Sequence, residues 1–102
     1  MPDSSDLPSI VILTQKFQLG RLCATPGALA QIDHAEIAVA VTRHAQGDWG
    51  DDLDDHDWSA NESALRDGSR LVSFFNTGSG ERFLIITEWD RSVTTILLPE
   101  EY

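Results

Sequence analysis

RHAQGDWGDDLDDHDW, residues 43–58, is the stretch on which the reading of this chain turns. It sets Arg43 and His44 ahead of two glycines that bracket Asp48-Trp49, then adds Asp51, Asp52, Asp54, Asp55 and Asp57. Glycines on both sides of a polar motif let the backbone turn sharply. What lies on either side of the stretch therefore sets the fold. Upstream, 36–42 alternates Ile37, Val39 and Val41 with Glu36, Ala38, Ala40 and Thr42, a period of two that predicts a strand. In that strand Arg43 and His44 point to opposite faces. Downstream, Ser59 and Glu62 have capping-box spacing, Asp57 is an alternative cap, and Gly68 is a stop, predicting a helix over about 58–67.

Farther out, three apolar runs at 70–76, 82–88 and 93–98 are separated by Thr77-Gly78-Ser79-Gly80 and Trp89-Asp90-Arg91-Ser92. Such short connections predict an antiparallel meander with 82–88 at its centre. Thr25-Pro26-Gly27 starts a short helix at 26–32, with threonine as cap and proline where no amide donor is needed. The run 10–13 and the alternation through Phe17 and Leu19 read as strand fragments, and Cys23 as a small buried apolar residue. The expected architecture is α+β, an antiparallel sheet of four to five strands with two helices packed on one side. Residues 1–8, rich in proline, serine and aspartate, are expected to be a disordered tail, and 9–102 a single domain.

Seventeen acidic residues stand against seven basic ones, a net charge of −10. That charge repels phosphate backbones and anionic lipid, arguing against non-specific nucleic-acid binding. No apolar run is long enough for a bilayer span, the start is not basic, and a single cysteine rules out an internal disulfide, so a cytoplasmic setting is expected. Composition leaves the oligomeric state open.

The aspartates raise the question of a cation. Framed from Asp52, the run puts His56 and Asp57 where a calcium loop needs a carboxylate or amide and a glycine, and Ser63 where it needs a bidentate glutamate. No second histidine or cysteine stands at zinc spacing from His56, so neither a metal nor another cofactor is assigned. The plainer account is a solvated acidic run at the start of a helix, where negative charge is favourable. His44, Asp48, Arg70, Glu88, Arg91 and Thr95 include the acid, base and cation types that metal-independent phosphodiester cleavage needs, and they are the candidate catalytic set. Against this, arginines in an acid-rich chain are ordinarily salt-bridge partners, and a histidine is ordinarily a hydrogen-bonded structural one.

Taken together, RHAQGDWGD (43–51), NESALRDGSR (61–70) and ITEWDRSVTTILLPEEY (86–102), with TPGAL (25–29) upstream, resemble a family of small uncharacterised bacterial proteins associated with plasmids and phages. The resemblance implies a mobile-element setting and a structural role for Arg43, Trp49 and Thr87. Trp89 departs from it, since the family commonly has a small residue there. The order of elements is also similar to the barnase/RelE-type ribonuclease superfold, which carries no function by itself. Two functions are therefore expected in this order. One is an acidic accessory protein that binds another protein, with Asp51, Asp52, Asp54 and Asp55 imitating nucleic-acid phosphates; the other is a ribonuclease using the candidate catalytic set.

Overall fold

In a computed structural model, residues 15–51 and 53–102 are described. The expected tail at 1–8, the run 10–13 and Asp52 lie outside the described residues. The elements are β1 (Arg21–Ala24), α1 (Pro26–Gln31), α2 (His34–Ala45), α3 (Asp55–Asp67), β2 (Leu71–Asn76), β3 (Arg82–Thr87) and β4 (Val93–Leu97), followed by a 3₁₀ turn at Pro99–Glu101. The sheet order is β1-β4-β3-β2. The α+β class and the 70–98 meander hold. The sheet itself is mixed, because β1 runs parallel to β4, from Arg21 opposite Val93 to Ala24 opposite Ile96.

The main correction falls on 36–42, which is the middle of helix α2 and not a strand. Its alternation is real, but Ile37, Ala40, Val41, His44 and Ala45 also recur at helical spacing, and that second pattern is the face that is used. Val39, which the strand reading placed on one face with Ile37 and Val41, is 61% exposed while Val41 is buried. Local signals favour the helix: the Asp33 carboxylate caps the Ala35 and Glu36 amides, and Arg43 and His44 sit in the last turn, where positive charge suits the dipole. Likewise α3 starts at Asp55, three residues earlier than expected. Asp54 is its cap and accepts from the Asp57 amide at 2.8 Å, so the Ser59–Glu62 spacing is not a capping box. Gly68 stops α3 in the left-handed conformation as expected. Phe17, at a bend, and Leu19 lie before β1 and outside any strand, and Cys23 is half-buried within β1.

One face of the sheet gives Phe75, Phe83, Ile85 and Ile96 to the main core, where they meet Ala28 and Ile32 from the α1 segment and Ala40 and Val41 from α2. The two helices on that face are thus α1 and α2. The third, α3, packs beside β2, joining Ala64 to Leu71 and Trp49. The opposite face carries Leu84, Ile86 and Leu97 with Val72 and Phe74.

An edge strand exposes every second amide and carbonyl to any strand that comes by. On β2 these groups are taken. The Asn61 side chain from α3 mimics a strand on Val72, accepting from its amide at 3.2 Å and donating to its carbonyl at 2.7 Å. The Phe74 amide donates to the Trp49 carbonyl at 3.1 Å, and the Asp51 amide donates to the Phe74 carbonyl at 2.9 Å. The Asn76 amide donates to the Asp51 carboxylate at 2.9 Å. The GDWGD loop therefore lies along the edge as a cap. Gly50 makes it possible: its φ is 110°, and a Cβ there would strike the Phe74 carbonyl.

Two outcomes follow for stability. Ile85 is fully buried at the centre of the main core, and Ile85→Asp leaves an isolated charge that costs several kcal/mol against a total of about 5–15; circular dichroism should show an unfolded chain, and a folded variant would refute the register. Gly50→Ala should cost on the order of 2–4 kcal/mol in urea unfolding, and a change below about 0.5 kcal/mol would mean that the loop does not press on Phe74.

Candidate functional site

Because 43–45 is the last turn of a helix, Arg43 and His44 leave the backbone about 100° apart. The two side chains enter different environments. His44 is wholly buried against the sheet. Its Nδ1 lies 2.5 Å from Ser73 Oγ on β2 and its Nε2 lies 2.8 Å from Thr87 Oγ1 on β3. Thr87 Oγ1 in turn is 2.7 Å from Thr94 Oγ1 on β4, and the Thr94 hydroxyl donates to the Leu19 carbonyl at 2.7 Å.

One carbonyl orients this whole series. Leu19 O can only accept, so Thr94 spends its proton there and must accept from Thr87. Thr87, having given its proton to Thr94, accepts from His44 Nε2–H. Because burial keeps the ring neutral, Nε2 holds its single proton and Nδ1 accepts from the Ser73 hydroxyl. Burial pushes the imidazole pKa down to about 3 from an ordinary 6.5, with a smaller contribution from the charge of Arg91. Phe17 and Trp49 close around the ring edge-on, at centroid distances of 5.2 and 5.6 Å.

Arg43 faces the other way. Its Nε donates to Asp48 at 2.7 Å, Nη2 donates to Asp51 at 3.0 Å, and the guanidinium lies 4.8 Å from the centroid of Phe75. Asp48 also accepts from the Gly50 amide at 3.2 Å. Partial burial opposes ionisation of Asp51, but the Asn76 amide and Arg43 outweigh it and hold its pKa below the usual carboxylate range. Trp49 is fully buried with its indole N–H donating to Glu62 at 2.8 Å, which fastens the loop to α3.

Of the candidate catalytic residues, Arg91 and Glu88 are in contact, through the Glu88 carbonyl. His44 bonds instead to Thr87, a residue expected to be structural, and this contact brings the 43–51 motif to the end of the β3–β4 hairpin. Asp48 belongs to the Arg43 group. Arg91, in the left-handed conformation at φ 60°, gives its guanidinium to the carbonyls of Ser69 at 2.6 Å, Ala64 at 2.9 Å and Glu88 at 3.1 Å, bracing the hairpin turn to the C-terminal end of α3. The alternation along β4 turns Thr95 to the sheet face opposite Thr94 and His44. Glu88 joins the turn through its backbone, and Arg70 donates to the Tyr102 hydroxyl at 2.8 Å. Sequence reasoning missed Ser73 and Thr94, the other hydroxyls of the network, although each sits on the inward period of its strand beside apolar residues. Asn61 was missed as well, since an asparagine inside a helix gives no sign of bonding a strand edge.

Chemically, Ser73 and His44 have the contact of a nucleophile and a base. The serine is fully buried, however, and no buried side-chain nitrogen or oxygen among the described residues lacks a partner. Such a network holds elements together and offers no reacting atom to a substrate. Among the described residues, Asp54, His56 and Asp57 could hold a metal ion, with one ligand atom each within 4.8 Å of one another and all three exposed. The Asp54 carboxylate is already committed to the helix cap. Among the described residues no helix is long and apolar enough to cross a membrane. No family model matches the chain, and neither curated proteins nor solved structures show a match to it.

The histidine sets a pH test. Between its folded pKa of about 3 and the ordinary 6.5 the unfolded chain binds a proton that the folded one refuses. Stability should therefore fall as pH drops through that window, by on the order of 4–5 kcal/mol if the whole shift is expressed. Urea unfolding of His44→Gln should start from a lower stability at neutral pH and lose most of the slope between about pH 6.5 and pH 4. Survival of the full slope in the variant would remove His44 as its source.

Proposed function

We propose that this is a non-catalytic accessory protein that binds another protein through its acidic surface, in the mobile-element setting that the resemblance of its motifs implies. The observation that carries this reading is where the polar groups go. The histidine, hydroxyls and arginines that would do chemistry are spent on internal bonds, while the carboxylates at the start of α3 project into solvent.

Of the four carboxylates expected to imitate phosphates, Asp51 has another job, since it is tied to Arg43 and the Asn76 amide. Asp54 and Asp55 remain exposed, and Asp57 joins them on the same turn. Three negative charges over a single helical turn, in a protein of net charge −10, give a local field suited to a basic patch on a partner. The ribonuclease reading has less support, because His44 is sealed from solvent, Asp48 is bonded to Arg43, Arg91 is spent on backbone carbonyls, and Thr95 lies on the other face of the sheet.

Changing Asp54, Asp55 and Asp57 together to asparagine removes the charge and keeps, at the first of these positions, a side-chain oxygen able to cap α3. Affinity purification from host extract should recover a basic DNA-binding or defence protein with the wild-type chain, released as salt screens surface charge, and not with the triple variant. The same capture by both chains would refute the proposal. Growth arrest with RNA cleavage that His44→Ala abolishes would put the ribonuclease in its place.

A further inference from the structure

A groove of about 540 Å³ runs between α3 and the face of β2 that carries Val72 and Phe74. Its volume falls in the range of real binding clefts. It follows α3 from Asp57 to Asp67, roughly 15 Å at the rise of a helix. Along that wall Ala60, Ser63 and Ala64 present small side chains, and Leu53 also lines the groove. Asp57 and Asp67 stand at its rim. Among the described residues that line it, Arg70 is the single cation. It is already engaged, donating to the Tyr102 hydroxyl and lying 5.6 Å from the centroid of that ring.

These features select one kind of occupant. Strand addition is barred here, because the Asn61 side chain occupies the Val72 backbone and the GDWGD loop occupies Phe74. A partner must therefore enter by its side chains. Small residues on α3 allow a helix to come close, the half-buried Val72 and Phe74 offer apolar contact, and the rim acids with the neighbouring Asp54 and Asp55 call for cations beside that contact. We infer that the groove between α3 and β2 receives the apolar stripe of a basic amphipathic helix belonging to a partner protein. The inference rests on the acidic-binding reading and adds to it the shape and chemistry of what is bound.

The probe is a synthetic leucine–lysine peptide of about four helical turns with its leucines on one face, compared with a peptide of the same composition whose leucines are scattered. Calorimetric titration of the whole protein at low ionic strength should give an affinity about tenfold higher for the amphipathic peptide. Its addition should move the amide resonances of Ser63, Ala64, Val72 and Phe74. Ala60→Trp, which fills the groove without changing charge, should erase the preference while leaving the melting temperature near that of the wild type. The triple asparagine variant should weaken both peptides alike. Equal binding of the two peptides, or an unchanged preference in Ala60→Trp with the groove resonances unmoved, would overturn the groove assignment and leave the acidic reading standing if the asparagine variant still binds less. Absence of binding by either peptide would overturn both.

Discussion

A hydroxyl buried in a sheet costs about 1–3 kcal/mol unless it is paired, and this protein buries three of them side by side on Ser73, Thr87 and Thr94, one from each of three adjacent strands. Neutral imidazole is well suited to the task, since it offers one donor and one acceptor on opposite sides of a rigid ring. His44 thereby links α2 to β2 and β3 directly, and to β4 and the Leu19 carbonyl through the hydroxyls. The placement of α2 on the sheet is set by these bonds together with the apolar contacts of Ile37, Ala40 and Val41. Because Phe17 and Trp49 pack on the ring, the segment before β1 and the loop after α2 are located by the same residue.

The loop after α2 solves a second problem with the same economy. A sheet edge left open invites other chains, and the GDWGD segment with Asn61 closes the β2 edge using two backbone groups, one amide side chain and one carboxylate. Arg43 holds the loop by both of its aspartates, and Trp49 anchors it below. An unusual sequence of charged and aromatic residues between glycines thus has a structural account that requires no substrate.

The parts of the fold that could be read from the residues are those where one period dominates. The three late strands have β-branched and aromatic runs, short connections and no competing pattern, and they formed as expected. The run 36–42 failed because alternating Ala and Val satisfy periods of two and of 3.6 together. The arbiter was Asp33, a cap residue three positions ahead of Glu36, whose weight exceeds that of the alternation. β1 escaped notice for a different reason: its four residues gain their order from a partner some seventy positions later, and no local signal records such pairing. In the candidate site, the contact between the 43–51 motif and Thr87 was foreseeable from the cost of fixing a glycine-flanked loop. That His44 would be sealed was not, because burial of one side chain depends on Phe17 and Trp49 arriving from elsewhere.

The order β1-β4-β3-β2 has a consequence for how the molecule comes into being. The latest of the described strands is an interior one, wedged between the earliest of them and the β2–β3 hairpin. As a ribosome makes this protein, the hairpin can form once Thr87 has emerged, but β1 has nothing to pair with until Leu97 follows. Closing that interval is a slow, entropically costly step relative to forming a hairpin. Until then the flanks awaiting β4, on β1 and on β3, are bare at once. The nascent chain therefore passes through a stage whose bare strand flanks are ones the finished protein covers, and its net charge of −10 sets such chains against one another.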